Sequence, residues 1–178
     1  MHYRSQLDET MVFRDKVVPG LVVHAEIVSW NPEGAVVSFG RKVKGYIFNS
    51  HFGNKNRIEK PRKKYPVGSK VKAVVHVVEH SGNKLHLSAN KMLVKNPKAF
   101  VSYEDIPVGH VGYGLIIKVS IKGIAVSLLG GLTGFVPSRM TDHDCTVLDS
   151  VYSPGDSIKV SFEHCFIVCR NGLLICIN

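Results

Sequence analysis

Between Arg41 and Lys72 the chain carries eleven basic side chains, Arg41, Lys42, Lys44, Lys55, Arg57, Lys60, Arg62, Lys63, Lys64, Lys70 and Lys72, against a single acid, Glu59. A cationic field of that density attracts a phosphate backbone and releases the counterions condensed on it. Phe48, His51 and Phe52 lie in the same stretch. Rings interleaved with cations suit a single nucleic-acid strand, because bases stack on π faces while charged side chains follow the phosphates. A solvated, solubilising loop would carry the same charges, and apolar rings are more often packed than displayed. The charge is confined to one half: residues 1–95 hold 17 Lys and Arg against 7 Asp and Glu, and residues 96–178 hold 6 against 7. Whatever polyanion the net charge of +9 attracts, the first half attracts it.

Other chemistry is poorly supported. Cys165 and Cys169, with His164 and His143, invite a metal reading, yet no Cys-x-x-Cys pair completes four ligands. Thiols packed as small hydrophobes are expected instead. Ser138, Asp142 and His143 are neighbours in one loop, without the strained nucleophile turn or phosphate-cradling glycine loop that a reaction centre needs. Glu104 with Asp105, and Asp142 with Asp144, read as a linker charge and a helix-cap cluster. The expectation is a binding protein with no catalytic residue, metal or cofactor. No apolar run approaches the roughly 18 residues that span a bilayer, and residues 1–16 lack a signal-peptide core, so a soluble intracellular chain without a membrane partner is expected. The four cysteines all lie in the second half, unlike a disulfide framework.

The elements that must position the basic and aromatic residues follow from an internal repeat. Gly20 with Gly109, Gly34 with Gly123, Ser38 with Ser127 and Gly45 with Gly134 share an offset of 89 residues. A later turn, Tyr65-Pro66-Val67-Gly68, recurs as Tyr152-Ser153-Pro154-Gly155 at an offset of 87. Each copy is rich in Val and Ile at period two and broken by Gly, Pro and Asn, the pattern of short half-buried strands. Five strands are predicted near 20–30, 34–40, 43–48, 69–79 and 84–89, and five near 109–119, 123–129, 132–137, 156–168 and 173–177. The fold class is all-β: two tandem five-stranded OB-type Greek-key barrels, whose closure removes exposed edges. The chain divides into an extension (1–16), a first barrel (17–90), a semi-ordered linker (91–105) and a second barrel (106–178). Trp30 is expected at the core or rim and Phe135 in the second core.

Val18-Pro19-Gly20, Gly34-Ala35-Val36-Val37 and Gly45-Tyr46-Ile47, echoed by Gly123-Ile124-Ala125-Val126 and Gly134-Phe135-Val136-Pro137, resemble the S1 RNA-binding domain pattern. The succession that joins them, Leu85-His86-Leu87-Ser88, Lys91-Met92-Leu93-Val94 and Ser102-Tyr103-Glu104-Asp105, is similar to adjacent repeats of the multi-S1 ribosome-assembly factors. The resemblance implies a fragment of a longer array in the nucleus and nucleolus, with precursor ribosomal RNA and other ribosome-assembly proteins as partners. It also implies an RNA platform of aromatic residues on strands two and three with a His near the end of strand three. This sequence departs from that platform, with Glu33, Val36 and Phe48 at the matching places and Lys122, Ala125 and Pro137 in the second copy. The RNA-binding candidates are therefore Phe48, His51, Phe52, Lys55, Arg57, Lys60, Arg62, Lys63, Lys64 and Lys84, the last near the position S1 domains use for phosphate. The second barrel is expected to act as a scaffold, with Lys122 and Arg139 merely solvated. The competing reading is a protein-interaction scaffold whose barrels have largely lost RNA binding.

Overall fold

A computed structural model describes residues 16–53, 61–79, 84–141, 143, 145–164 and 176–177. The first five strands are β1 (Val22–Trp30), β2 (Gly34–Phe39), β3 (Val43–Phe48), β4 (Lys70–Glu79) and β5 (Lys84–Ser88), with a one-turn helix α1 (Pro61–Lys64) before β4. They close in the order β1-β2-β3-β5-β4, every ladder antiparallel except a single parallel bridge between Tyr46 and His86 that joins β3 to β5. The period-two pattern accounts for the interior: Val23, Ala25 and Ile27 of β1, Ala35 and Val37 of β2, Ile47 of β3, Val71, Ala73 and Val75 of β4, and Leu85 and Leu87 of β5 are buried in one cluster. Gly45 lets the seam between β3 and β5 close, because a Cβ there would run into Leu87.

A short helix α2 (Lys91–Lys95) and a 3-10 turn (Tyr103–Asp105) lead to the second set of strands: β6 (His110–Ser120), β7 (Gly123–Ser127), β8 (Thr133–Pro137), β9 (Ser157–His164) and β10 (Cys176–Ile177), with helix α3 (Leu148–Val151) before β9. Their order, β10-β9-β6-β7-β8, is that of β5-β4-β1-β2-β3. The two sheets share their irregularities as well. The β1–β2 ladder slips at Val28 and the β6–β7 ladder at Ile117, residues 89 apart, and both bulged side chains are exposed. Gly34 and Gly123 repeat one close approach, in which a Cβ would strike the carbonyl of Ile47 or of Val136.

Among the described residues the second sheet is open, and the expected strand residues 165–168 and 173–175, on which closure of a second barrel would depend, lie outside them. Closure of the first sheet rests on one bridge from a five-residue β5, whereas the described part of β10 is two residues long and its ladder with β9 is already irregular. The other strand ends within the described residues agree closely with the sequence reading, except that β7 stops at Ser127, where residues through 129 were expected; the expected end of β9 at 168 and start of β10 at 173 lie outside the described residues.

The sheets meet in a third apolar cluster. Val74, Leu93, Leu115 and Leu129 are buried together, with Val22, Val94, Ala99 and Tyr113 around them. Val74 lies on the outward side of β4 and would be exposed if the first barrel stood alone, and each large side chain buried this way stabilises the seam by about 1.5–3 kcal/mol. Asn90 caps α2 by accepting from the Met92 amide at 3.0 Å, which holds Leu93 in that cluster.

Candidate nucleic-acid interface

On β3 the residues Val43, Gly45 and Ile47 face the core, so Lys44, Tyr46 and Phe48 face outward. Cross-strand pairing sets Ser38 opposite Lys44, Val36 opposite Tyr46 and Gly34 opposite Phe48, and the parallel bridge brings His86 beside Tyr46. Three rings thereby share one surface. Tyr46 meets Phe48 edge to face at 4.8 Å, and Phe48 stacks on His86 at 5.2 Å with 19° between the planes. Tyr46 is fixed from its far end, where its hydroxyl donates to Asn31 Oδ1 at 2.6 Å while the same oxygen accepts the Gly34 amide. Phe48 is 36% exposed, which leaves ring area for a stacking partner. Exposed Lys44 and Lys84 border the rings on β3 and β5. Burial lowers the pKa of His86; Glu79 opposes the shift and Lys84 adds to it. A neutral imidazole stacks on Phe48 at neutral pH without a charge to desolvate.

The candidates read from the sequence separate into four groups. Phe48 and Lys84 belong to this surface. Arg62, Lys63 and Lys64 are exposed on α1, which is held to the end of β1 by Tyr65, whose carbonyl accepts the Trp30 indole N–H at 2.9 Å. Phe52 and His51 are corrected: Phe52 is a core residue between Trp30 and Tyr65, with ring centroids at 5.1 and 5.5 Å, and His51 is buried against His76. Neither offers a free face to a base, because the 3-10 turn Asn49–Phe52 that follows β3 folds both rings inward. Lys55, Arg57, Lys60, Asp142, Asp144, Cys165 and Cys169 lie outside the described residues. Tyr46 and His86 complete the surface and were absent from the candidates. Alternation from Lys84 would have turned His86 outward, but its adjacency to Tyr46 depends on barrel closure, which no local pattern carries.

The matching face of the second sheet is built differently. Ala125, Ser127, Phe135 and Pro137 stand where the first sheet has Val36, Ser38, Tyr46 and Phe48. Phe135, expected in the core, is partly exposed on the side of β8 opposite buried Val136. Ser127 faces the first barrel, with its Oγ 2.7 Å from His76 Nε2. Among the described residues no three His, Cys, Asp or Glu side chains form a metal-holding group, and no helix is long and apolar enough to cross a membrane.

Residues 16–90 match the model of the S1 RNA binding domain. The chain is 31% identical over 145 residues to the rRNA biogenesis protein RRP5 of Arabidopsis thaliana, covering 80% of this chain and 7% of that protein. It is 25% identical over 165 residues to the human protein RRP5 homolog, covering 91% of this chain and 9% of the relative. It is also 31% identical over 160 residues to a 4-hydroxy-3-methylbut-2-enyl diphosphate reductase of Clostridium acetobutylicum, covering 90% of this chain and 23% of that protein. The chain thus spans less than a tenth of the RRP5 relatives. The stretch that matches the S1 RNA binding domain model is the closed barrel with its outward Tyr46, Phe48 and His86.

Proposed function

We propose that this chain binds single-stranded RNA as a non-catalytic module of a ribosome-assembly protein, with precursor ribosomal RNA as its target and the nucleolus as its place of action. The observation that carries the reading is the outward ring surface of Tyr46, Phe48 and His86, bordered by Lys44 and Lys84, on the face an OB-type barrel uses for oligonucleotides. Two bases stack on Phe48 and Tyr46 while Lys44, Lys84 and the α1 cations Arg62, Lys63 and Lys64 neutralise phosphates. The names of the RRP5 relatives support the ribosomal context. The shared strand order and the paired bulges support reading 106–178 as a second S1-type barrel joined by 91–105 to the first at 17–90, acting as a scaffold.

The test is a fluorescence titration of a single-stranded oligonucleotide at two salt concentrations. Phe48→Ala weakens binding by about 1–3 kcal/mol with the salt dependence intact, since a stacking partner is lost and no cation is. Reversing Arg62, Lys63 and Lys64 to Glu instead flattens the salt dependence, by roughly 0.7 in log–log slope for each phosphate contact removed. Unchanged affinity in Phe48→Ala overturns the assigned surface and favours the protein-interaction scaffold.

A further inference from the structure

His76 is an unusual residue to find buried on the outer side of a barrel strand. It sits where the β4–β5 ladder slips between Val75 and Val77, and the second sheet covers it. Two bonds tie it there: its carbonyl accepts the Gly130 amide at 2.8 Å and its Nε2 lies 2.7 Å from Ser127 Oγ. Its Nδ1 is buried with no hydrogen-bond partner. A proton on that atom would be buried unpaired, so the favoured tautomer carries hydrogen on Nε2 and donates to Ser127. The imidazole also meets His51 in a T-shaped contact, with centroids 4.9 Å apart and planes at 80°. His51 is held in turn by its own carbonyl, which accepts the Ala89 amide at 2.9 Å, and its ring lies 6.0 Å from that of Phe48.

A second support reaches the same turn. Ser50, between Phe48 and His51, lies against Gly155 in the turn that leads into β9, where an added Cβ would stand 3.0 Å from the Ser50 carbonyl. Gly155 has φ +94°, so a side chain there would also strain the backbone. The turn that leads from Phe48 into the interior is therefore wedged between β4 and the turn before β9. Burial first, then the neighbouring imidazoles, hold His51 down to about 3, and burial with His86 holds His76 down to about 4, so both rings pack as neutral groups at neutral pH.

We propose that Ser127 and Gly155 are positioning residues for RNA binding: acting through His76, His51 and Ser50, they fix the Phe48–His86 stack, so the second sheet sets the affinity of a surface it does not touch. This rests on the RNA reading above. Contact between two elements does not by itself establish coupling, so a double-mutant cycle is the measurement that decides.

The full chain is titrated with a fluorescein-labelled oligouridylate of about 12 nucleotides, a length within the site size of one or two OB folds. Ser127→Ala is expected to weaken binding roughly threefold to tenfold, with the salt slope and the melting profile of the first barrel unchanged. Ser127→Thr, which keeps the hydroxyl, restores affinity. Gly155→Ala weakens binding independently of Ser127, by pressing on Ser50. In a Phe48→Ala background Ser127→Ala has no further effect, because there is no ring left to position. If Phe48→Ala weakens binding and Ser127→Ala does not, or if the two losses simply add, the positioning role is overturned while the RNA surface stands. If Phe48→Ala itself changes nothing, the RNA surface and the positioning role both fall.

Discussion

The two sheets follow one strand order and bulge at equivalent residues, yet their corresponding faces meet different neighbours. On the first sheet Glu26 is exposed, whereas 89 residues later Leu115 is 1% exposed within the seam. His24 likewise corresponds to Tyr113, and Phe48 to Pro137. A face lined by Glu, His, Lys and aromatic residues stays in water and can receive a polyanion. The same face lined by Leu and Tyr docks on Val74 and Leu93. The strand plan is thus indifferent to use, and a few outward positions decide it.

Exchanging those positions tests the comparison most severely. Leu115→Glu places a carboxylate in the apolar cluster of Val74, Leu93 and Leu129, and is expected to cost about 3–5 kcal/mol in chemical unfolding. The reciprocal Glu26→Leu changes an exposed side chain and should stay within about 0.5 kcal/mol. Equal effects would mean that the seam does not hold the sheets together.

How far this arrangement could be read in advance depends on the range of each interaction. The strands and the repeat were legible because alternation and turn glycines are local signals: Val23, Ala25 and Ile27 announce an inner face without reference to any other strand. The basic stretch was legible from composition alone. Phe52 and His51 were misplaced because a ring next to lysines looks the same in sequence whether it turns inward or outward, and the 3-10 turn after β3 decides that through Trp30, Tyr65 and His76. His86 was missed because it joins Tyr46 only across the closing bridge, 40 positions away in the chain. The seam was hidden for the same reason. Leu115 looks like any inward strand residue until the parity of β6, set by the bulge at Ile117, places it outside.

Acid should separate the sheets' contributions next. His51 and His76 have folded pKa values of about 3 and about 4 against an ordinary value of 6.5. Between those values and 6.5 the unfolded chain takes up protons that the folded chain refuses. Stability is therefore full above 6.5, falls as pH drops toward 4, and levels off below the folded values. The groups acting on these rings are each other, His86 from β5, and Ser127 from β7 at His76 Nε2. A fall in Tm of roughly 5–10 °C between pH 7 and pH 4.5 is expected, reduced in His76→Gln, which cannot be protonated in this range. A His76→Gln profile parallel to that of the unaltered chain would assign the acid sensitivity elsewhere.

The smallest expected effect bears on whether the sheets are equivalent by design or only by outline. Val28 and Ile117 each occupy the extra position of a bulge and are 44% and 46% exposed. A bulge needs the additional residue, not its side chain, since its function is to bend the strand and raise its twist. Val28→Ser and Ile117→Ser should therefore each change stability by less than about 0.5 kcal/mol, and by similar amounts. Deleting either residue is different in kind. It restores an even ladder with every flanking side chain on its present face, and removes only the bend and the added twist. In β1 Ile27, Ser29 and Trp30 would keep Val37, Val36 and Ala35 as partners, and in β6 Ile116, Lys118 and Val119 would keep Val126, Ala125 and Ile124, so a loss of stability on deletion reports the bend alone. Tolerated serines with intolerant deletions in both strands would show that the bend itself is what the repeat preserves, and that the two faces diverged around a fixed frame.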